Sequence, residues 1–351
     1  MKLLERSFWI KLLNWEYWSA KAFYWPMYVY GPLLALRSRH VCFFTAANPG
    51  IKAGGIGVES KFDTLAILPE VHRPTTILVN KNDSFDKVLQ KIEAANITFP
   101  LIAKPEVGFR GMLVKKVKNA KQLKAYLSKY PINFLIQEFI PYPVEVGILY
   151  HRSPDEPKGN ISSITLKELL HVIGDGRSTV EALVLQSDRA LLQWERINDN
   201  YSHLLQTIPQ QGEYIQLGIV GNHCKGARFI NGNHLISQEL IDTIDEISKQ
   251  IPGFYYGRYD IRCASLESLK QAKDFKIIEL NGVCSEPTHI YDPQQISYFG
   301  ALNSILRHWS TVRKISHANH KRGVEYVPFK VLYPQIRNLK KYEKYLQELG
   351  S

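Results

Sequence analysis

Asp260, Glu279 and Asn281 are of the residue types that hold a hard divalent cation, and their spacing lets them converge. Side chains alternate along a strand, so Arg258, Asp260 and Arg262 share one face of segment 257–263, as Glu279 and Asn281 do in segment 275–281. Side by side, the two segments would bring two carboxylates and an amide oxygen to one place. Magnesium takes such oxygens and keeps positions for water and phosphate. Arg258 would face the same anionic ligand. The competing reading is an ordinary hairpin with a charged, solvated face. If the metal reading holds, loss of Asp260 or Glu279 should stop turnover and leave folding intact.

A second group lies in residues 99–117. Lys104 ends an apolar run, where an ammonium inside a cleft can pair with phosphate. Gly108, Phe109, Arg110 and Gly111 follow, and glycines there let backbone N–H groups approach phosphate oxygens. No GxxxxGK[ST] sequence occurs, so this is not a Walker A loop. A plain hairpin turn with exposed lysines would also account for it. A third group is Gln137, Glu138 and Phe139, with Glu145 seven residues beyond Glu138. A strand ending there offers a backbone edge to a purine and a carboxylate to ribose hydroxyls. Glu138 could equally be a surface charge at a strand end, and Asn222-His223 is either a phosphate contact or a turn.

The elements that would position these groups read as strands and helices in alternation. Strands are expected at 40–45, 75–79, 99–104, 134–137, 215–220, 257–263 and 275–280, with a Gly-rich loop at 48–57. Helices are expected from Ser84, with Asp83 as a possible cap, and at 120–129, 235–250, 298–317 and 338–349. There is no internal repeat or low-complexity tract. This is an α+β chain.

Composition narrows the classes. At 351 residues, 45% apolar and 22% charged, the chain can form two or three packed units and is not a disordered one. Cys42, Cys224, Cys263 and Cys284 form no CxxC pair, which argues against a disulfide scaffold or zinc ribbon and fits a reducing interior. The net charge of +11 suits an anionic partner. The basic residues are dispersed with no RNA or DNA motif, so no nucleic-acid partner is expected. Residues 22–36 are too short to span a bilayer and are broken by Pro26, Gly31 and Pro32. Glu5, Arg6, Lys11 and Glu16 interrupt any signal-peptide core, so a cytoplasmic location is expected. Residues 1–40 hold four of the six tryptophans among scattered lysines and arginines. Such a segment suits an anionic membrane surface as a bent, interfacial arm peripheral to the inner face, or packs on the body as a helical arm. Both readings stay open.

Taken in order, these groups resemble the ATP-grasp superfamily over residues 80–310: a strand lysine, a Gly-rich loop, an adenine hinge and a late Asp…Glu-x-Asn set. The resemblance implies an ATP-grasp fold, two α+β subdomains gripping ATP. It would comprise an aromatic arm (1–40), a shortened pre-ATP-grasp substrate domain (41–97), the ATP-grasp domain (98–315; lid 98–145, larger part 146–315) and a basic helical extension (316–351). It implies that Lys104, Gly108, Arg110, Gly111, the hinge Gln137–Phe139 and Glu145 bind ATP. Asp260, Glu279 and Asn281 would hold one or two Mg²⁺, or Mn²⁺. Residues 170–183 look like the VxGDGxxTxxEL stretch of cyanophycin synthetases and fused glutathione synthetases. There Gly174-Asp175-Gly176 makes a tight turn, Ser178 or Thr179 can cap a helix, and Lys167 upstream takes the place of a basic residue on ATP or substrate. Residues 54–59 are similar to the GGxSxE of D-alanine–D-alanine ligases, whose glutamate contacts a substrate amine; Glu59 would take that role. Gly57 stands where those enzymes have serine, so D-alanyl-D-alanine is not the expected product. Glu286, His289 and Asp292, and Asn222-His223, would face the second substrate. The implied activity joins a small-molecule or peptide carboxylate to an amine through an acyl phosphate, with Arg258 on the transferring phosphoryl group or the oxyanion; a homodimer could form. Two other readings stay open: a kinase-like enzyme that releases its phosphorylated product, and a nucleotide-binding membrane-surface protein with little catalysis.

Overall fold

A computed structural model describes residues 3–109 and 111–350. Strands β1 (Thr76–Val79), β2 (Leu101–Pro105), β3 (Lys115–Val117) and β4 (Phe134–Glu138) form an antiparallel sheet ordered β1-β4-β2-β3. Two amphipathic helices, Phe85–Ala94 and Ala120–Lys129, cover it and bury Val88, Ile92, Leu123 and Tyr126 in its core. Each such aliphatic side chain removed from water contributes roughly 1.5–3 kcal/mol. Ser84, not Asp83, caps the first helix by accepting from the Lys87 N–H. Asp83 instead accepts from the Asn80 N–H and pairs with Lys87 at 2.7 Å and Lys91 at 2.6 Å.

The larger sheet uses β5 (Val144–His151), β6 (Asn160–Glu168), β9 (Arg228–Asn231), β10 (Tyr256–Cys263) and β11 (Phe275–Asn281), ordered β11-β10-β5-β6-β9 and antiparallel throughout. A short pair, β7 (His171–Ile173) and β8 (Tyr214–Gln216), stands beside it. The helix Gln238–Gln250 covers one face of the larger sheet with Leu240, Ile244 and Ile247.

Three local expectations are corrected. Residues 40–45 form no strand: a 3-10 turn, Phe43–Ala46, packs on the helix Tyr298–Lys321. There Ser316 Oγ donates to the Phe43 carbonyl and Asn319 Nδ2 to the Ala46 and Ala47 carbonyls, so side chains satisfy a backbone that a ladder would otherwise satisfy. The strand expected at 215–220 ends at Gln216, and the glycine-bearing stretch beyond it turns toward the cleft described below. The helix Met27–Ser38 runs unbroken through Gly31 and Pro32; the bends of the N-terminal segment fall between residues 14 and 26.

One side of that segment packs on the body. Phe23 is buried and its ring lies 5.5 Å from Tyr291 and 5.7 Å from Tyr298. Arg6 reaches Asp188 at 2.7 Å, and Glu16 accepts from Arg189 at 2.5 Å. The helix Tyr298–Lys321 spans residue 316 without a break. The helix Phe329–Gly350 that follows places Leu346 in the small-sheet core.

Candidate active site

A cleft of 330 Å³ lies between the two sheets, lined by β2 and β4 on one side and by β5, β6, β10 and β11 on the other. On the larger sheet Asp260 stands directly opposite Glu279, and Arg258 opposite Asn281. Like charges facing each other across a ladder repel unless cations intervene. They do. Lys167 Nζ lies 3.1 Å from Asp260 Oδ1 and 3.2 Å from Glu145 Oε1, and Arg258 Nε donates to Asp260 Oδ1 at 2.9 Å. Lys61, in the first turn of the helix Lys61–Ala66, pairs with Glu279. Arg262 Nη2 donates to Glu145 Oε2 at 2.9 Å. Burial alone would raise the Asp260 carboxyl, but the adjacent Arg258 and Lys167 outweigh it and hold it well below the usual carboxylate range. Burial likewise opposes ionisation of Glu279, and Lys61 overcomes it. Lys167 would be lowered by burial, yet Asp260 and Glu145 keep its ammonium above the ordinary value.

Lys104 on β2 closes the other wall. The β10–β11 register slips between Asp260 and Ile261, so Ile278 is the extra residue of a bulge. Its carbonyl accepts from Lys104 Nζ at 3.2 Å, and Gln137 Oε1 accepts from the same nitrogen at 3.1 Å. Lys104 is buried, and burial lowers its ammonium to about 8. Around it, Ile102, Val114, Phe139, Ile140 and Ile219 make an apolar slot suited to a purine. Lys116 sits 3.7 Å above the Phe139 ring.

Glycines let the loops close over this slot. Gly111 has φ +72°, and a Cβ there would lie 2.3 Å from Val220 Cγ1; a Cβ on Gly221 would lie 2.5 Å from Glu145 Oε1. Gly111→Ala is therefore expected to push the two loops apart and, if the slot takes ATP, to weaken that binding by ~tenfold, since a left-handed backbone alone costs an L-residue ~1–2 kcal/mol. Calorimetric titration with ATP checks this, and an unchanged dissociation constant would mean the loop does not cover nucleotide. The loop at 48–57 is anchored in turn by buried Asn48. Its Nδ2 donates to the Gly54 and Tyr256 carbonyls, and its Oδ1 accepts from the Tyr255 and Tyr256 N–H groups. This seats Gly55 against the backbone of Gly282, just past Asn281.

The cleft thus gathers Lys104, Gly108, Gly111, Gln137, Glu138, Phe139, Glu145, Lys167, Asn222, Arg258, Asp260, Glu279 and Asn281 from among the residues singled out in the sequence. Arg110 lies outside the described residues. The Glu138 carboxylate also accepts from the Thr75 N–H at 3.1 Å, a strand-end role. Five residues do not line the cleft, among them Asp292, whose carboxylate accepts from the Asn231 and Gln294 N–H groups at 2.9 and 3.1 Å. Glu59 accepts from the Gly57 N–H at 2.7 Å, with its carboxyl raised by burial. The His223 ring lies against Tyr17 and Tyr291 and is 3.2 Å from Glu16. Glu286 accepts from the Tyr291 hydroxyl at 3.0 Å. His289 Nδ1 is 2.7 Å from Ser163 Oγ, beside a separate polar cavity shared with His151 and His308. Lys61 and Arg262 were not selected from sequence. Arg262 carried a usable signal, its two-residue spacing from Asp260, whereas nothing in sequence links Lys61 to a carboxylate 218 residues away.

The donor set fits a hard cation. Among the described residues no three His, Cys, Asp or Glu side chains converge as metal ligands, so a metal here would rest on two carboxylates and an amide, with ligand oxygens completing its shell. Asn281 Nδ2 is buried without a hydrogen-bond partner, an orphan donor suited to a water or phosphate oxygen on such an ion.

No family model and no curated protein matches this chain. Among solved structures it is similar to a bifunctional glutathione synthetase from Pasteurella multocida (16% identity, TM-score 0.40), covering 71% of this chain and 36% of that one. It is also similar to a D-Ala:D-Ser ligase from Enterococcus faecalis (14%, TM-score 0.42; 74% and 64%) and a D-alanine–D-alanine ligase from Bacillus anthracis (17%, TM-score 0.41; 75% and 71%). The chain therefore spans about a third of the first protein's length and under two thirds of the second's.

Proposed function

We propose that this chain is an ATP- and Mg²⁺-dependent ligase of ATP-grasp type that joins a carboxylate to an amine through an acyl phosphate. The observation that carries the reading is the Asp260–Glu279 pair, opposed across β10 and β11 and facing a cleft walled on its other side by buried Lys104. Asp260, Glu279 and Asn281 would hold one or two Mg²⁺, with Mn²⁺ acceptable to the same oxygens, and the ion would neutralise phosphate charge. Lys104 pairs with the phosphates, Gln137 to Phe139 border the base, and Glu145 lies toward the ribose. The substrate carboxylate oxygen attacks the γ-phosphorus as the bond to the bridging oxygen breaks, leaving ADP. The amine nitrogen, entering as the free base, then adds to the acyl carbon; collapse of that adduct breaks the carbon–oxygen bond to phosphate, and the departing phosphate carries off the proton from nitrogen. Arg258 and Lys167 stabilise the charge that gathers on the transferring group.

Glu138, Glu145, Asp260 and Glu279 are each already engaged by a backbone N–H or a cation. That favours a nucleophile arriving with its own negative charge, as a carboxylate does, over a hydroxyl that needs a base, as in a kinase-like enzyme. The substrates would be small-molecule or peptide carboxylates and amines. The test supplies ATP, Mg²⁺ and a pool of amino acids and dipeptides with ¹⁸O-labelled carboxylates, with and without hydroxylamine. Hydroxamate formation with ¹⁸O appearing in released phosphate is expected. A phosphorylated product that survives hydroxylamine, or ADP release without label transfer, would overturn the ligase reading.

A further inference from the structure

We propose that the outward side of the N-terminal helices is a docking face for a bilayer surface rich in anionic headgroups. In the helix Leu3–Leu13, Leu4, Phe8 and Leu12 recur every four residues and are exposed, with Trp9 and Leu13 beside them. In the helix Met27–Ser38, Tyr28, Val29, Pro32, Leu33 and Leu36 make a second exposed stripe at helical spacing, while Leu34 on the other side is buried. Leu4 is 83% exposed, Leu13 73% and Leu36 75%, far more than stray surface apolar residues explain when so many fall in one segment. A groove of 730 Å³ opens beside the second stripe, walled by Pro32, Leu36, Val41, Phe44 and Trp309, and its apolar lining suits an acyl chain.

Charge selects the occupant. Among described residues 3–41 the exposed ionic groups are Lys11, Lys21, Arg37 and Arg39 against a single exposed acid, Glu5; Glu16 is turned inward to Arg189. A second copy meeting this face by two-fold symmetry would set the cations against their twins. Anionic headgroups neutralise them while Trp9, Trp18, Trp25 and Tyr28 settle at the boundary between headgroup and acyl chain. No helix among the described residues is long and apolar enough to cross a membrane, so the contact is one of lying on the surface. The packed side of the same segment ties that surface to the body through Glu16, Arg189 and His223, and His223 adjoins cleft-lining Asn222.

The full chain is sedimented with vesicles of phosphatidylcholine alone and of equal phosphatidylcholine and phosphatidylglycerol, at low and high salt. Binding to the mixed vesicles should be at least ~tenfold tighter than to the neutral ones, and the Lys21→Gln/Arg37→Gln variant should lose most of that difference. A Trp25→Ser/Leu33→Ser/Leu36→Ser variant, altered only at exposed positions, should stay in the supernatant with an unchanged melting temperature. The proposal is overturned if the full chain ignores both vesicles at low salt, if it binds both equally, or if the triple variant sediments like the parent. A vesicle-free dimer that the triple variant converts to monomer would assign the face to a second copy instead. Vesicle binding needs neither ATP nor turnover, so this outcome is independent of the ligase reading.

Discussion

Glu279→Gln is expected to cut ATP-dependent turnover by ~1000-fold or more, because a hard anionic ligand is lost where phosphate charge must be neutralised. Stability should barely change. The loss of the Lys61–Glu279 pair is offset because the substitution removes a partly buried charge that burial disfavours and relieves its repulsion from Asp260. Asp260→Asn should cut turnover equally, but here the fold is not indifferent to the loss. That carboxylate is the shared partner of Lys167 and Arg258, and removing it leaves Arg258 without its ion-pair partner and buried Lys167 with Glu145 alone. Breaking such a buried pair costs ~3–5 kcal/mol. The expectation that either carboxylate could be lost without harm to folding is therefore revised for Asp260. Parallel turnover assays and thermal melts check both statements; wild-type turnover in Glu279→Gln would remove it from any metal set.

Lys104→Met should weaken ATP binding by ~10–100-fold, the worth of one charge-assisted hydrogen bond, and leave AMP binding much closer to wild type. Burial sets the ammonium at about 8, below its ordinary 10.5, and this gives two signs to measure. A phosphate beside the ammonium favours its charged form, so wild-type affinity for ATP should be flat below about pH 8 and fall above it. The Met variant should lack that fall. For stability the sign is opposite: the folded state binds the proton less well than the unfolded chain, so this group's contribution improves as pH rises from about 8 toward 10.5. At neutral pH the Met variant should melt no lower than wild type. Equal losses for ATP and AMP would place Lys104 away from the phosphates.

Much of the cleft was legible because strand alternation and motif order act over short distances. Arg258, Asp260, Glu279 and Asn281 follow directly from a period of two, and β10 and β11 are neighbours in space as in sequence. The central strands β5 and β6 were not recognised. Both of their faces are covered, one by the core and the other by the cleft and the turn Thr288–Tyr291, so Ser163 and Thr165 are as buried as Ile164 and the usual apolar–polar contrast disappears. At residues 40–45 apolar content was mistaken for a strand, when burial against a helix with side-chain capping of carbonyls demands the same residues. His223 and His289 stand out by chemical type, but their partners come from elements far away in sequence: Glu16, Tyr17 and Ser163. No spacing rule could have supplied those.

The helix Phe329–Gly350 has a mechanical meaning. Near its start, the Val327 N–H donates to Thr45 Oγ1 on the larger body; near its end, Leu346 is sealed inside the small-sheet core. Its 22 residues make a rod about 33 Å long. A stiff rod pinned at both ends fixes the separation of its anchors. The two walls of the cleft therefore lack the freedom of jaws on a slack hinge: they can swing about the rod but cannot draw straight apart. Any opening about such a rod is a rotation rather than a straight separation.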